Sequence, residues 1–278
     1  MAGAEFEFSD QDFQRVRRII NQVAGISLAD GKRELVYSRL SRRLRQRGFR
    51  RFEDYCDFLE TGGDETELNE FVNALTTNLT SFFRESHHFE FLAKELLPAL
   101  IRSRGLSNRR IRIWSAGCST GEEPYSIAIV LREVLPATGW DVKILATDLD
   151  SNVLATAERG VYEWNRVKDL SEPRLRRWFQ KGRNAQAGWV RVAPALRDLI
   201  TFRQLNLMGD WPMRGPFDLI FCRNVVIYFD KPTQQILFER YADILAERGH
   251  LFVGHSESLF KVTERFAPLG KTIYQRCL

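Results

Sequence analysis

The sequence predicts an α/β protein: a mostly parallel, doubly wound sheet with helices on both faces, an all-helical domain ahead of it and a small antiparallel β-subdomain inserted in it. Three observations predict this. From residue 111 onward, short apolar runs that read as buried strands alternate with segments of helical periodicity. Residues 1–76 carry helical periodicity only. And about 40 residues lie between the second crossover helix and the next strand, where such connections are usually under about six residues.

In the N-terminal part, Ser9 can cap a helix that runs to about Val23, with Phe13, Val16, Ile20 and Val23 on its inward stripe and Gly25 ending it. Asp30 begins a second helix, on which Val36, Leu40 and Leu44 repeat every four residues. Arg39, Arg42 and Arg45 step by three along its opposite side. Further helices span Phe52 to Leu59 and Glu67 to Leu75, the latter with Leu68, Phe71, Val72 and Leu75 at core spacing. The segment from Thr76 to Glu85 then interrupts the periodicity. As structure it is a linker pinned by Phe82 and Phe83; as function it is a loop across the mouth of a pocket. Phe89, Leu92, Leu96 and Leu100 mark an amphipathic helix leading into the sheet.

The sheet opens with Ile111 to Trp114, followed by the small-residue turn Ser115-Ala116-Gly117-Cys118-Ser119-Thr120-Gly121 and a helix from Glu122. Strand, small-residue turn and helix let backbone approach a ligand at a helix N-terminus. About 26 residues on, Ile144 to Asp148 is a strand ending in an acid, placed to hold a ribose. The turn is not G-x-G-x-x-G, and Glu122 and Glu123 would repel a pyrophosphate. A ligand with a ribose and a cation, such as S-adenosylmethionine, fits those charges better than a dinucleotide. Val153 to Arg159 reads as the second crossover helix. The excess length beyond it holds an alternating strand, Trp189 to Val192, with Gly182 and Gly188 at turn positions. Leu199 to Asn206 is the next sheet strand. Phe217 to Asn224 is nearly continuous apolar sequence ending in Arg223-Asn224, as in a fully buried parallel strand. A helix from Pro232 to about Leu245, ended by Gly249, a strand His250 to His255 and a last, edge strand Thr272 to Cys277 complete a sheet expected to have seven strands. Asp148, Asn206 and Asn224 end three different strands, and residues just past strand C-termini line the ligand crevice of such sheets.

Composition narrows the class. With 278 residues, 44% hydrophobic and 28% charged, the chain has an ordinary globular balance. No apolar run approaches the roughly 20 residues of a membrane span, and the acidic, polar start has no signal-peptide form. Cys56, Cys118, Cys222 and Cys277 are scattered and read as reduced thiols in a cytoplasmic protein; no metal site is expected, since no His and Cys share ligand spacing. Net charge is +5, but Lys32 to Arg51 holds nine Lys or Arg against one acid, Glu34. That reads either as a solvated basic face or as a docking surface for an acidic partner.

The stretches NLTSFFRE (78–85), WSAGCSTGEEPYS (114–126), ATDLD (146–150), FDLIFCRNVVIYF (217–229) and GHSE (254–257) resemble the CheR-type chemoreceptor glutamate O-methyltransferases of bacterial chemotaxis. The resemblance implies a Rossmann-like, class I sheet of the SAM-dependent methyltransferases, with a helical domain over 1–76, a linker over 77–90 across the cofactor pocket, a catalytic domain over 91–278 and an inserted β-subdomain at about 161–198. It implies S-adenosylmethionine as methyl donor, S-adenosylhomocysteine as product, and receptor glutamate γ-carboxylates as acceptors. By motif, Asn78, Thr80 and Arg84 would contact the cofactor from the linker, with Gly117 at the turn. Glu123 would lie near the methionine amino end, Asp148 would hold the ribose, and Asn206 with Leu207 would border the adenine. Arg223 and Asn224 would close the pocket, and Arg84 and Tyr228 would sit nearest the transferred methyl as catalytic residues. The basic helix with Arg39, Arg42 and Arg45 would dock the cytoplasmic helical bundle of a chemoreceptor, and the β-subdomain, in some members, grips a peptide at the receptor C-terminus. The expected protein is a cytoplasmic monomer that neither inserts in a membrane nor binds nucleic acid.

Plainer roles stand beside these. Arg84 could be a structural ion pair with Glu85 or Glu122, Tyr228 a core aromatic, and His255-Ser256-Glu257, too close in sequence to converge as a triad, a cap on the sheet. Two other functions compete. The pI near 9.1 and the arginine-rich helix suggest an RNA methyltransferase, but Asn224-Val225-Val226-Ile227 lacks the double proline typical of enzymes that methylate exocyclic base nitrogens. A non-catalytic module that binds cofactor and receptor is opposed by the full set of pocket residues.

Overall fold

The computed structural model describes residues 5–104 and 108–277; residues 1–4, 105–107 and 278, which fall in the expected helical and sheet domains, lie outside the described residues. Helix α1 (Asp10–Ala24) starts in a reciprocal capping box between Ser9 and Asp12 and stops at Gly25, whose φ of +69° is left-handed. Helices α2 (Arg33–Arg47), α3 (Phe52–Glu60) and α4 (Glu65–Leu75) follow. After the linker, α5 (Ser86–Phe91), a π-turn over Leu92–Leu96 and α6 (Leu97–Arg104) run on as one helical rod. The sheet domain continues with β1 (Arg110–Ala116), α7 (Glu122–Val134), β2 (Asp141–Asp148) and α8 (Ser151–Arg159). An insertion then carries β3 (Val161–Glu163), α9 (Glu172–Trp178), β4 (Phe179–Lys181), β5 (Trp189–Val192) and α10 (Pro194–Arg197). The chain closes with β6 (Ile200–Gln204), β7 (Phe217–Cys222), α11 (Lys231–Ile244), β8 (Leu245–Val253), β9 (Phe266–Gly270) and β10 (Ile273–Arg276).

Seven strands form the main sheet in the order β6-β2-β1-β7-β8-β10-β9. The first five are mutually parallel, and β10 pairs antiparallel with both β8 and β9. The chain winds outward from β1 to β6 and then returns to the other side with β7, so the direction of winding reverses between β1 and β7. Crevices form at that reversal, outside the carboxyl ends of the strands. The central strands β1, β7 and the second half of β8 are buried on both faces, as their apolar residues predict. In β7, Ile220 and Cys222 face the same core as α11 and the N-terminal helices, while Leu219 and Phe221 face the core under α5 and α7. Trp114, fully buried, packs edge-on against Trp211 and Tyr241 on the first side and donates its indole N–H to Thr147 Oγ1 at 2.9 Å. The N-terminal helices therefore share one continuous apolar core with a face of the sheet.

Three sequence expectations change. The seventh strand, β9, was not legible, since only Phe266 is buried in it, four exposed residues follow and Pro268 and Gly270 break any alternation; it takes the edge expected for the last strand, β10, which lies between β8 and β9. Gly249 does not end a helix. Helix α11 stops at Ile244 and β8 begins at once, with Arg248 at φ +56° beside Gly249 where the pairing with β7 shifts register. Within α4, Leu68 is only partly buried, and Glu67 faces inward at 1% exposure. It accepts from Tyr55 Oη at 2.7 Å and holds Arg43 of α2.

The insertion is a second, three-stranded antiparallel sheet, β3-β5-β4, of which the sequence revealed only β5. Gly182 closes its hairpin: a Cβ there would sit 2.1 Å from the Gln186 carbonyl.

Candidate active site

The turn after β1 is tied down at its backbone. The N–H groups of Gly117 and Cys118 both donate to the Thr147 carbonyl of β2, at 2.8 and 2.9 Å. Gly117 has φ +91°, and a Cβ on it would lie 2.4 Å from Val225 Cγ2, so the position requires glycine twice over. The Ser119 N–H donates to Asp148 Oδ2 at 2.7 Å, and the Asp150 N–H to Oδ1 at 3.0 Å. Asp148 is 9% exposed, and what remains open of it faces a cavity. Burial pushes its carboxyl up to about 6, against the pull of those backbone N–H groups.

The two glutamates that open α7 diverge. Glu122, fully buried, takes Arg166 from the insertion and the Thr120 hydroxyl. Glu123 turns to the cavity. Its Oε1 accepts from Ser115 Oγ at 2.7 Å and its Oε2 from Arg223 Nη1 at 3.0 Å, while burial pushes its carboxyl up. Arg223, buried at the end of β7, lies between Glu123 and Glu85 (3.4 Å), over the ring of Phe89, and donates to the Arg84 carbonyl. Glu85, His87 and His88 gather in one place, but the cation Glu85 already holds is this guanidinium. Burial raises the Glu85 carboxyl, yet the His255 side chain and the Arg223 charge outweigh it and hold the group at about 2.

The linker lies across these strand ends. Asn78 Nδ2 and the Thr76 hydroxyl donate to Asp150 Oδ2, at 2.7 and 2.9 Å, and Ser119 Oγ donates to the Asn78 carbonyl at 3.1 Å. Phe82 packs edge-on against Tyr162 and Phe179, and Phe83 against Phe89, so the two phenylalanines pin the segment whose polar residues face the cavity. Arg84 donates to the Leu79 carbonyl at 2.8 Å and makes no ion pair among the described residues; the partners considered for it, Glu85 and Glu122, are taken by Arg223 and Arg166. Tyr228 is half-buried rather than a core aromatic. Burial pushes its phenol up, and the Arg84 charge opposes this; both side chains line the same cavity.

All eleven residues predicted to bind cofactor or act in catalysis line one cavity of about 460 Å³: Asn78, Thr80, Arg84, Gly117, Glu123, Asp148, Asn206, Leu207, Arg223, Asn224 and Tyr228. Asn206 is held by α1, donating to the Val23 carbonyl at 2.6 Å. The helical domain also supplies wall residues that the sequence did not suggest, among them Ile26, Leu28 and Leu35. Their segment is stitched to the sheet domain: the Ser27 N–H donates to the Tyr228 carbonyl at 2.7 Å, and Ile26 bridges Phe229. Nothing local in the sequence marks this beyond the Gly25 turn. Glu257, set aside as a cap, is buried and accepts from the backbone N–H groups of Asn224, Gly254 and Ile227.

The three arginines of α2 expected to dock a partner do not stand alike. Arg39 is partly buried and donates to the Ala74 and Thr76 carbonyls (3.2 and 2.7 Å), Arg45 pairs with Glu5, and Arg42 is exposed with no ion pair among the described residues. Acids missing from the local sequence arrive from elsewhere in space: Glu67 and Glu70 for Arg43, Glu67 and Asp64 for Arg47, and Asp10 for Arg33.

The cavity suits S-adenosylmethionine in several separate ways. A glycine admits close backbone approach, a strand-end carboxylate can accept from ribose hydroxyls, and Glu123 offers an anion near the turn. A seven-stranded sheet of this order, with that cavity at its switch point, defines a SAM-dependent methyltransferase. More narrowly, the chain belongs to the CheR methyltransferase family: residues 78–275 match its SAM binding domain and residues 11–76 its all-alpha domain. It is 48% identical to Chemotaxis protein methyltransferase 2 of Pseudomonas aeruginosa, over 97% of this chain and 94% of that one. It is 44% identical to the chemotaxis protein methyltransferase of Escherichia coli (strain K12), over 96% and 91%. Against that of Klebsiella aerogenes the identity is 45%, over 96% and 89%. The enzyme is a SAM-dependent methyltransferase of chemotaxis. No described helix is long and apolar enough to cross a membrane.

Proposed function

We propose that this enzyme esterifies glutamate γ-carboxylates in the cytoplasmic helical bundle of chemoreceptors, producing glutamate methyl esters and S-adenosylhomocysteine. The observation that carries this reading is the placement of Arg84 and Tyr228 on the same cavity as Asp148 and Glu123, with Arg84 free of any carboxylate among the described residues. The bound cofactor supplies an electrophilic methyl on a sulfonium, which needs no activation. A glutamate side chain, with a pKa of about 4.3, is already ionised at neutral pH, so no general base is required. What remains for the protein is alignment. Asp148 accepts from the ribose hydroxyls, Glu123 faces the cofactor's amino end, and Asn78, Thr80, Asn206, Leu207, Arg223 and Asn224 complete the walls. Arg84 orients the acceptor carboxylate, and Tyr228 shapes the methyl site with its hydroxyl. Such alignment can lower a barrier by about 7–11 kcal/mol.

Docking falls to the basic helix α2, with Arg42 the arginine left for an acidic partner. The exposed Trp189 and the basic surface of the three-stranded sheet support a second contact, to a peptide at the receptor C-terminus. The protein works as a monomer in the cytoplasm, where its acceptors are. The test is transfer of labelled methyl from the cofactor to purified receptor cytoplasmic domains. Label released as methanol by alkali is the expected result; label on RNA, or cofactor binding without transfer to any receptor, would overturn the proposal.

A further inference from the structure

Glu257 is a buried carboxylate, 4% exposed, with no cation against it among the described residues. Its partners are backbone N–H groups. Oε2 accepts from Asn224 at 2.9 Å and from Gly254, and Oε1 accepts from Ile227 at 3.2 Å. A buried charge satisfied by main-chain donors alone is costly to keep, and it is retained where the backbone it holds must be held. The backbone here is the segment after β7 that carries Asn224, Val225, Ile227, Tyr228 and Phe229 to the cavity wall. Glu257 itself does not line that cavity.

The segment needs such a hold. Asn224 sits at φ +60°, a conformation that side-chain-bearing residues adopt at a cost. Val225 then lies against Gly117, and a 3₁₀ turn over Val226–Tyr228 brings Tyr228 to the cavity that Arg84 also lines. Gly254 belongs to the same arrangement. A Cβ there would lie 2.4 Å from Asn224 Nδ2, so the end of β8 is bare where the segment crosses it. Oε1 and Oε2 fix two points of the turn, at Asn224 and Ile227, and thereby its pitch. Ser27 fixes the third from the helical domain.

We propose that Glu257 is a positioning residue for methyl transfer: from outside the cavity, through the backbone N–H groups of Asn224 and Ile227, it sets where Tyr228 and Asn224 stand. This rests on the reading of Tyr228 as the residue beside the transferred methyl. Glu257→Gln tests it, because an amide has one accepting oxygen and its NH2 must face an N–H whichever way it turns. The expected result is a fall in kcat of at least about tenfold, larger than the accompanying rise in Kd for S-adenosylhomocysteine, since Asn224 belongs to the displaced segment while Asp148, Glu123 and Asn206 stand on other elements. Amide hydrogen exchange of Asn224 and Ile227 should quicken at least about tenfold while the amides of β1 and β7 keep their protection. A kcat within twofold of wild type would overturn the proposal. So would faster exchange throughout the sheet, which would make Glu257 a general stabiliser. If the Gln variant does not fold, Glu257→Asp, which keeps both oxygens one methylene short, is read by the same two measurements against the same outcomes. A wild-type protein that transfers no methyl to a receptor would defeat the proposed function instead, and the exchange experiment would still decide whether Glu257 sets the segment.

Discussion

Replacing Asp148 by Asn separates what the site costs the fold from what it gains in binding. Burial lifts the Asp148 carboxyl from its ordinary 3.8 to about 6 in the folded protein. At about 1.4 kcal/mol per pH unit, that gap corresponds to about 3 kcal/mol of differential interaction. Because the folded value lies above the unfolded one, the stabilising contribution is fully present below pH 3.8 and is lost as pH rises through about 6. At neutral pH the cofactor-free enzyme therefore carries a charged group that its fold opposes. Urea unfolding of wild type and Asp148→Asn, measured without cofactor from pH 4 to pH 7, should give a stability difference that shifts by about 2 kcal/mol in the variant's favour across that range, most of the remainder lying below pH 4. The hydrogen bond the amide loses to Ser119 or Asp150 adds a constant offset and leaves this slope untouched. Binding should move the opposite way. Losing one charge-assisted hydrogen bond, worth about 1.5–3 kcal/mol, since the amide keeps a single accepting oxygen, weakens S-adenosylhomocysteine by roughly 10- to 10²-fold, and wild-type affinity should itself fall as pH drops below about 6. Parallel stability curves for the two proteins, or a variant Kd within about threefold of wild type, would refute this reasoning.

Arg84→Ala and Tyr228→Phe should each lower kcat at least about tenfold with smaller changes in cofactor Kd, and near wild-type turnover in both would remove them from the chemistry. Gly117→Ala asks a β-carbon to occupy space held by Val225 in a left-handed conformation. Calorimetry should show cofactor affinity reduced at least about tenfold, and an unchanged titration would mean that the turn moves freely. Arg42→Glu should lower kcat/KM for receptor several-fold, most strongly at low ionic strength, and leave S-adenosylhomocysteine binding alone. Equal effects of Arg42→Glu and Arg45→Glu would contradict the distinction drawn from the Arg45–Glu5 pair.

Much of the fold was legible because buried parallel strands leave a trace: β7 and the second half of β8 are nearly unbroken apolar sequence, and β1 and β2 carry the shorter apolar runs Ile113–Trp114 and Ile144–Ala146 ahead of polar residues. Those ends gave the candidate site, since Asp148, Asn206 and Asn224 had to share one edge of the sheet. What the sequence concealed depends on contacts between distant segments. Strand β9 is held by pairing with β10 rather than by its own pattern. The paired state of Arg43, Arg45 and Arg47 required acids 17 to 40 positions away, which a local charge count cannot find. Glu257 looked inert because its partners are main-chain groups, which carry no sequence signature at all.

The seam between Ser27 and Tyr228 has a consequence for engineering. Helices thought of as an address label also furnish part of the nucleoside chamber, through Ile26, Leu28 and Leu35. If α2 docks the receptor as proposed, grafting those helices from one relative onto the catalytic half of another would exchange chamber wall together with receptor preference. Chimeras cut at the linker will report on both at once unless residues 24–35 travel with the sheet.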